Sequence, residues 1–218
     1  MSYTPFMPGF DQLPETLPIF PLSDAVVMPG SELPLNIFEP RYLNMVADAM
    51  SSHRMFGMMQ PDPSKPDQPE AVYRTGCGGR ITTYQETGDG RIELVLTGIC
   101  RFDILQEMAS TRGYRLVMPH WEPYRTDFEA SITTAVEHRD RLIYLLKNYF
   151  NSTRLETDWK TVLSIPPDRL VNTLTTLLPL GSREKQAILE AISPQERVDT
   201  LISALEMQVH ESYDSPRH

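Results

Sequence analysis

Cysteine is nearly missing from this sequence. Two residues, Cys77 and Cys100, stand among 218, too few for a disulfide scaffold. Basic charge is short as well: 20 Lys+Arg against 29 Asp+Glu leave a net charge of −9. A chain of that sign lacks the attraction to phosphate that dominates nucleic-acid affinity, so DNA and RNA are poor partners for it. No apolar run approaches the ~20 residues that a membrane span needs. The opening Met1-Ser2-Tyr3-Thr4-Pro5-Phe6 has neither a basic region nor an apolar signal core, so nothing in it directs export. These absences predict a cytoplasmic protein with no membrane attachment. Compact catalytic signatures are missing too. No Gly-Lys dipeptide occurs, which excludes the phosphate-cradling P-loop, and there is neither G-x-S-x-G nor H-E-x-x-H. The histidines, His53, His120, His138, His210 and His218, are scattered. The expectation is no catalytic residue, no metal and no cofactor.

Glycine and proline are present but unevenly placed. Residues 1–124 hold 14 of the 19 prolines and 10 of the 11 glycines; after them come five prolines and Gly181 alone. Helix interiors exclude both residue types, whereas strands joined by turns use them freely. The pattern predicts an α+β protein: a β-rich part over 1–124 and a helical part over 125–218.

Within the first part, Leu17–Leu22 is apolar but interrupted by Pro18 and Pro21, which predicts an edge or broken strand. Glu32–Phe38 alternates, with Leu33, Leu35 and Ile37 on one face. Pro40 suits the first turn of a helix whose stripe is Tyr42, Leu43, Val46, Ala47 and Met50. Arg54–Gln60 reads as a buried strand and 61–70, with four prolines, as an exposed loop. Asp89-Gly90 between Ile81–Tyr84 and Arg91–Leu96 predicts a tight hairpin. Further strands are expected at Arg101–Leu105 and Tyr114–Trp121. In the second part, Thr126 and Glu129 form a possible capping box ahead of Ile132, Val136, Ile143, Leu146 and Phe150. Pro166-Pro167 opens a helix carrying Leu170, Leu174, Leu177 and Leu178, which Gly181 ends. Ser182 starts a short helix with Ile188, Leu189 and Ile192. Ser193, Pro194 and Glu196 mark the start of the last, with Val198, Leu201, Ile202 and Leu205 inside.

Strict pairing from the Asp89-Gly90 turn sets Gly79 opposite Cys100 and makes Cys77 a diagonal neighbour of Cys100 on the same face. Two cysteines do not make a zinc site, so both are read as buried thiols acting as small hydrophobes. Gly76-Cys77-Gly78-Gly79-Arg80 precedes a strand and not a helix, so it is read as a bulge or close backbone approach and not as an anion loop. Met28, Met55, Met58 and Met59 crowd one region; alternation puts Met55 and Met59 on one face and Met58 on the other. Methionine suits both cores and adaptable binding surfaces.

Leu17-Pro18-Ile19-Phe20-Pro21-Leu22, Met28-Pro29-Gly30 and Leu33-Pro34-Leu35-Asn36-Ile37-Phe38-Glu39-Pro40-Arg41-Tyr42 together resemble the opening of the substrate-binding domain of Lon proteases. Phe56-Gly57-Met58, Gly79-Arg80-Ile81, Asp89-Gly90-Arg91 and Leu96–Phe102 continue the resemblance, as do Leu177–Leu180, Glu184-Lys185-Gln186 and Arg197. It spans about residues 15 to 209. The resemblance implies a PUA-like β pseudo-barrel with a short helix, followed by a C-terminal helical bundle. It also implies a free-standing form of the domain, without the ATPase and protease modules. The function then expected is non-enzymatic: binding of unfolded or tagged polypeptides, in protein quality control, with a full-length Lon protease as a further partner. Candidate peptide contacts are Met28, Phe38, Met55 and Met59, or a strand added to an open sheet edge. Glu39, Pro40 and Arg41 are expected to fix the strand–helix corner, and Gly57, Gly79 and Gly98 to permit backbone geometry. The alternative is an RNA-binding PUA-like domain, for which Arg74, Arg80, Arg91 and Arg101 would supply a basic face.

Overall fold

The structure is a computed structural model that describes residues 7–68, 70–128, 139–153 and 156–214. Six strands make one sheet: β1 (Leu17–Pro21), β2 (Glu32–Ile37), β3 (Met55–Met59), β4 (Thr75–Glu86), β5 (Ile92–Met108) and β6 (Arg115–His120), in the order β2-β5-β4-β3-β1-β6. β5 also pairs with β6, so the sheet closes on itself and leaves β2 as a flap on the outside of the ring. The length of β5 makes this closure possible. Its first half, Ile92–Thr97, pairs with β2, and its second half, Asp103–Met108, pairs with β6 on the same edge. The two strands expected at Arg91–Leu96 and Arg101–Leu105 are therefore one.

β1 is not the edge strand that its prolines suggest: it lies between β3, parallel, and β6, antiparallel. Both ladders are short, and that accommodates the prolines. Leu22 N–H donates to the Met59 carbonyl at 2.9 Å, so by alternation the nitrogens of Phe20 and Pro18 face β3, and that of Pro21 faces β6. The β3 ladder starts only at Ile19 and the β6 ladder covers Leu17–Ile19. Each missing N–H therefore falls where no ladder partner stands. The Asp89-Gly90 hairpin is present, but its loop is one residue longer than the tight form. Thr87 N–H bonds the Arg91 carbonyl, and Gly90 takes φ +81°, the left-handed position of a three-residue loop.

α1 (Pro40–Met50) packs on one face of the sheet. It buries Tyr42, Met45, Val46 and Ala49 against Phe20, Ile37, Phe56, Met58, Leu94 and Leu96. Ala47, expected on that stripe, is exposed. A second apolar core joins Leu17, Ile19, Met55, Met59, Phe102 and Trp121. A 3-10 turn over Glu122–Phe128 follows β6 and sets Tyr124 against that core. Thr126 lies within this turn; Glu129, Ile132 and Val136 lie outside the described residues.

The remaining helices are α2 (Arg139–Thr153), α3 (Trp159–Ser164), α4 (Pro167–Leu177), α5 (Ser182–Glu190) and α6 (Pro194–Asp214). They share a core of Leu142, Leu146, Tyr149, Leu170, Leu201 and Leu205 with their neighbours. α6 starts with both halves of a capping box: Glu196 N–H donates to Ser193 Oγ, and Ser193 N–H to Glu196 Oε2, each at 3.1 Å. Two leucine-stripe expectations fail. Leu177 is 63% exposed and Ile192 58%, because both sit at or past a helix end, where the periodicity that would turn them inward has stopped. α3 has too few apolar residues to show a period and is not legible in advance.

A polar seam joins the helices to the sheet. Thr176 Oγ1 lies 2.7 Å from Ser31 Oγ and accepts from Met28 N–H. Asn172 Nδ2 donates to the Pro29 carbonyl, and Lys185 Nζ to that of Asp24, each at 2.9 Å. Gln186 Nε2 donates to the Thr75 carbonyl, and its Oε1 accepts from Gln60. At its centre, Arg101 of β5 reaches Asp127 and the carbonyls at the end of α5.

Candidate functional site

Of the four candidate peptide contacts, only Phe38 reaches the surface: it is 60% exposed, whereas Met28, Met55 and Met59 are buried. The reason is topological. β3 lies between β1 and β4, and cores cover both of its faces. Alternation sends Met55 and Met59 into one core and Met58 into the other. Met28 is held by the loop over residues 28–31, under α4. These three methionines are withdrawn as surface contacts. Phe38 stands at the end of β2 with the Arg91 guanidinium 5.7 Å from its ring centre.

The Glu39-Pro40-Arg41 corner is built as follows. Pro40 occupies the first helical position, where a missing N–H costs nothing. The Glu39 carbonyl accepts from the N–H groups of Tyr42 and Leu43, both at 2.9 Å. Its side chain does not cap the helix; it accepts from Arg41 Nε at 3.0 Å and Nη2 at 2.9 Å. That pair is about half exposed, so it orients the arginine more than it stabilises the fold. Arg41 in turn lies over the Tyr42 ring, 4.5 Å from its centre, and Phe20 meets the same ring edge-on at 4.4 Å. Burial raises the pKa of the Tyr42 phenol, with Arg41 acting the other way.

Beside this corner opens a cleft of about 240 Å³. Pro21 and Val72 form its apolar surface, over the buried Ile19, and Arg41, Tyr42, Glu70 and Arg115 its polar one. Gly113 turns the chain into β6 with φ +83°, close to Arg41 Cβ. Arg115 forks onto Glu107 at 2.8 and 2.7 Å and gives Nη1 to the Glu70 carbonyl at 2.7 Å. Hydrogen bonding to Glu107 raises its pKa and lowers that of Glu107. The sequence pointed to Arg41 and Tyr42 through the block that contains them. Glu70, Tyr114 and Arg115 were missed, since only the closing of β6 onto β1 and β5 brings them there.

The open sheet edge is β2. The Gly98 N–H donates to the Ser31 carbonyl, so by alternation Leu33, Leu35 and Ile37 bond toward β5, and Glu32, Pro34 and Asn36 face outward. Pro34 removes the central outward donor, a common protection of edges. Strand addition there has acceptors but a broken row of donors. A shallow groove of about 390 Å³ runs along the neighbouring face, past Pro34, Asn36, Thr83, Glu93 and Val95.

The four arginines do not form a basic face. Arg101 is fully buried with Asp127, Arg74 stands 3.6 Å from Asp103, and Arg91 pairs with Asp89 at 3.0 Å. Arg80 donates to the His53 carbonyl and stands apart from the other three. This geometry removes the support for the RNA reading.

The cysteines also differ from expectation. The three-residue loop at Asp89-Gly90 moves the register by one, the bulges between Ile81 and Thr83 and between Gly78 and Gly79 cancel each other, and Gly78 opposes Cys100 while Cys77 opposes Arg101. The two thiols therefore lie on opposite faces, in different cores. Packing beside these glycines is close: a Cβ on Gly78 would lie 2.6 Å from Trp121, and one on Gly79 2.5 Å from Leu96. Burial pushes both thiols well above their usual pKa, which leaves them protonated and unreactive. Neither is expected to react with iodoacetamide at pH 8 until the protein unfolds, so mass-resolved alkylation should rise only along the denaturation curve. Labelling of either thiol in native protein would contradict their placement. Among the described residues, no three His, Cys, Asp or Glu converge as metal ligands, and no helix is long and apolar enough to cross a membrane.

Residues 16–207 match the family described as the ATP-dependent protease La (LON) substrate-binding domain. The chain is 28% identical over 193 residues to the Lon protease of Dictyoglomus thermophilum, covering 85% of this chain and 24% of that protein. It is 30% identical over 219 residues to the Lon protease of Parabacteroides distasonis, covering 92% and 25%. The chain thus spans about a quarter of the length of these relatives. Among solved structures, the N-terminal domain of the Mycobacterium avium complex Lon protease superposes with a TM-score of 0.64 at 16% identity, covering 88% of this chain and 98% of that one. A Lon N-terminal domain protein from Xanthomonas campestris superposes with a TM-score of 0.59 at 24% identity, covering 86% and 97%. These likenesses place the six-strand sheet and its following helices in one fold with Lon N-terminal domains. The chain belongs to the Lon substrate-binding domain family.

Proposed function

We propose that this chain is a non-enzymatic module that holds unfolded or tagged polypeptide segments in the cytoplasm, in protein quality control, with a full-length Lon protease as partner. The observation that carries this reading is family membership over residues 16–207. The match falls on the substrate-binding part of relatives that are themselves named as proteases. The surface supports it: Phe38 stands exposed next to a corner whose other side walls a cleft with both apolar and polar linings. On the same reading, the closed sheet of 1–124 is a PUA-like pseudo-barrel and 125–218 a helical bundle docked on it. Immobilised protein is expected to retain chemically denatured model clients and to release the same clients in native form. Equal indifference to both at micromolar protein, or hydrolysis of ATP or peptide by the purified chain, would overturn the reading.

A further inference from the structure

The cleft beside the Arg41–Tyr42 corner has one charge and one hydroxyl left over. Arg41 is neutralised by Glu39 and Arg115 by Glu107. Glu70, exposed on the rim, lends its backbone carbonyl to Arg115, but its carboxylate forms no ion pair among the described residues. The Tyr42 side chain is 6% exposed. Its hydroxyl makes no hydrogen bond to any described residue and is not sealed from solvent. Tyr42 lines the cleft together with Arg41, Glu70 and Arg115. Next to the cleft runs a shallow groove that shares Glu70, Ala71 and Arg115 and adds Gln68 and Glu107. The surface is therefore apolar below, with acceptors above and an acidic balance.

We propose that this cleft takes a basic side chain of an extended polypeptide, which rests on the polypeptide-binding reading above and assigns it a place. The aliphatic stem of a lysine or arginine lies along Pro21 and Val72 while its cationic head meets the Glu70 carboxylate and the Tyr42 hydroxyl, the usual division of such side chains between apolar surface and polar rim. An acidic side chain would meet the Glu70 carboxylate, while both arginines already hold carboxylates of their own. A purely apolar one would leave the Tyr42 hydroxyl without a partner, at the cost that attends buried polar groups. The net charge of −9 favours basic segments in the approach as well.

The test is fluorescence anisotropy of the full chain with labelled unstructured peptides that differ at one central position: lysine, norleucine or glutamate. The lysine peptide is expected to bind roughly tenfold tighter than the glutamate one, as a charge-assisted contact implies. Glu70→Gln should weaken the lysine peptide roughly fivefold and flatten its salt dependence. Tyr42→Phe, which removes only the oxygen, should weaken it by a similar factor while circular dichroism stays that of the parent. If the parent and both variants bind all three peptides alike, yet still retain denatured clients, the cleft assignment is wrong and the polypeptide-binding reading survives. If the parent retains no denatured client and binds no peptide, both fall together.

Discussion

Replacing Arg101 by alanine is expected to destabilise the protein by about 3–5 kcal/mol, the range for breaking a buried ion pair from one side. Both side chains of the Arg101–Asp127 pair are fully buried. The guanidinium gives Nε and Nη2 to the Asp127 carboxylate, Nη1 to the carbonyls of Leu189 and Ala191, and Nη2 to that of Ile192. Its face lies 4.6 Å from the centre of the Tyr124 ring. Removing it leaves Asp127 with the Arg101 backbone N–H at 3.0 Å and Arg197 Nη2 at 3.7 Å, and several carbonyls with nothing. Lysine does not substitute: a single ammonium cannot fork onto a carboxylate and also reach three carbonyls.

The same residue couples the two halves. Apart from Leu189, the helical residues pack in a core of their own, and Arg101 is where β5 is tied to the end of α5. Arg101→Ala is therefore expected to separate two unfolding steps that coincide in the parent. The two tryptophans report one half each, Trp121 in the sheet core and Trp159 against the helical core. Urea titrations of Trp121→Phe and Trp159→Phe versions should superpose with Arg101 present and diverge without it. Superposition in both backgrounds, or a midpoint unmoved by Arg101→Ala, would show that the seam is held elsewhere.

What could be read in advance follows from how far each signal reaches along the chain. The breaker imbalance, the Asp89-Gly90 turn and the Ser193–Glu196 capping box are local features, and each marks its element in the structure. Alternation in Glu32–Phe38 is likewise local and places Ile37 in the core and Phe38 outside it. Register was lost because the Asp89-Gly90 turn closes as a three-residue loop, which slips the pairing by one, whereas the two bulges further along β4 cancel each other. One skipped residue was enough to put the cysteines on opposite faces. The methionines were misplaced as surface contacts since a strand covered on both faces shows only apolar residues, whichever way each points. Arg101 carried a faint signal: a lone charge inside Gly98-Ile99-Cys100-Arg101-Phe102, among residues otherwise suited to burial. Its partner, Asp127, has no local feature that would identify it. The cleft was half legible, through the corner that walls one side.

The second large effect is expected at Gly98, and it arises from space, not from backbone conformation, because this glycine does not take a positive φ. A Cβ there would lie 2.1 Å from the Met28 carbonyl oxygen and 2.7 Å from its carbon. These are backbone atoms, so no side-chain rotation relieves the overlap. The loop cannot simply retreat. Gly30 N–H bonds the Gly98 carbonyl and Gly98 N–H that of Ser31, both at 2.9 Å. On its far side, Thr176 and Asn172 of α4 hold Met28 and Pro29. Moving the loop away from β5 pushes it into the helix, and moving it sideways breaks the bonds to both. Gly98→Ala is expected to cost about 3 kcal/mol or more, the upper end of overpacking. Gly88→Ala, with nothing within 4 Å of its Cβ, should stay within about 0.5 kcal/mol of the parent. Chemical denaturation of the two variants side by side measures the difference. Equal midpoints would mean that the loop carrying Met28 yields freely.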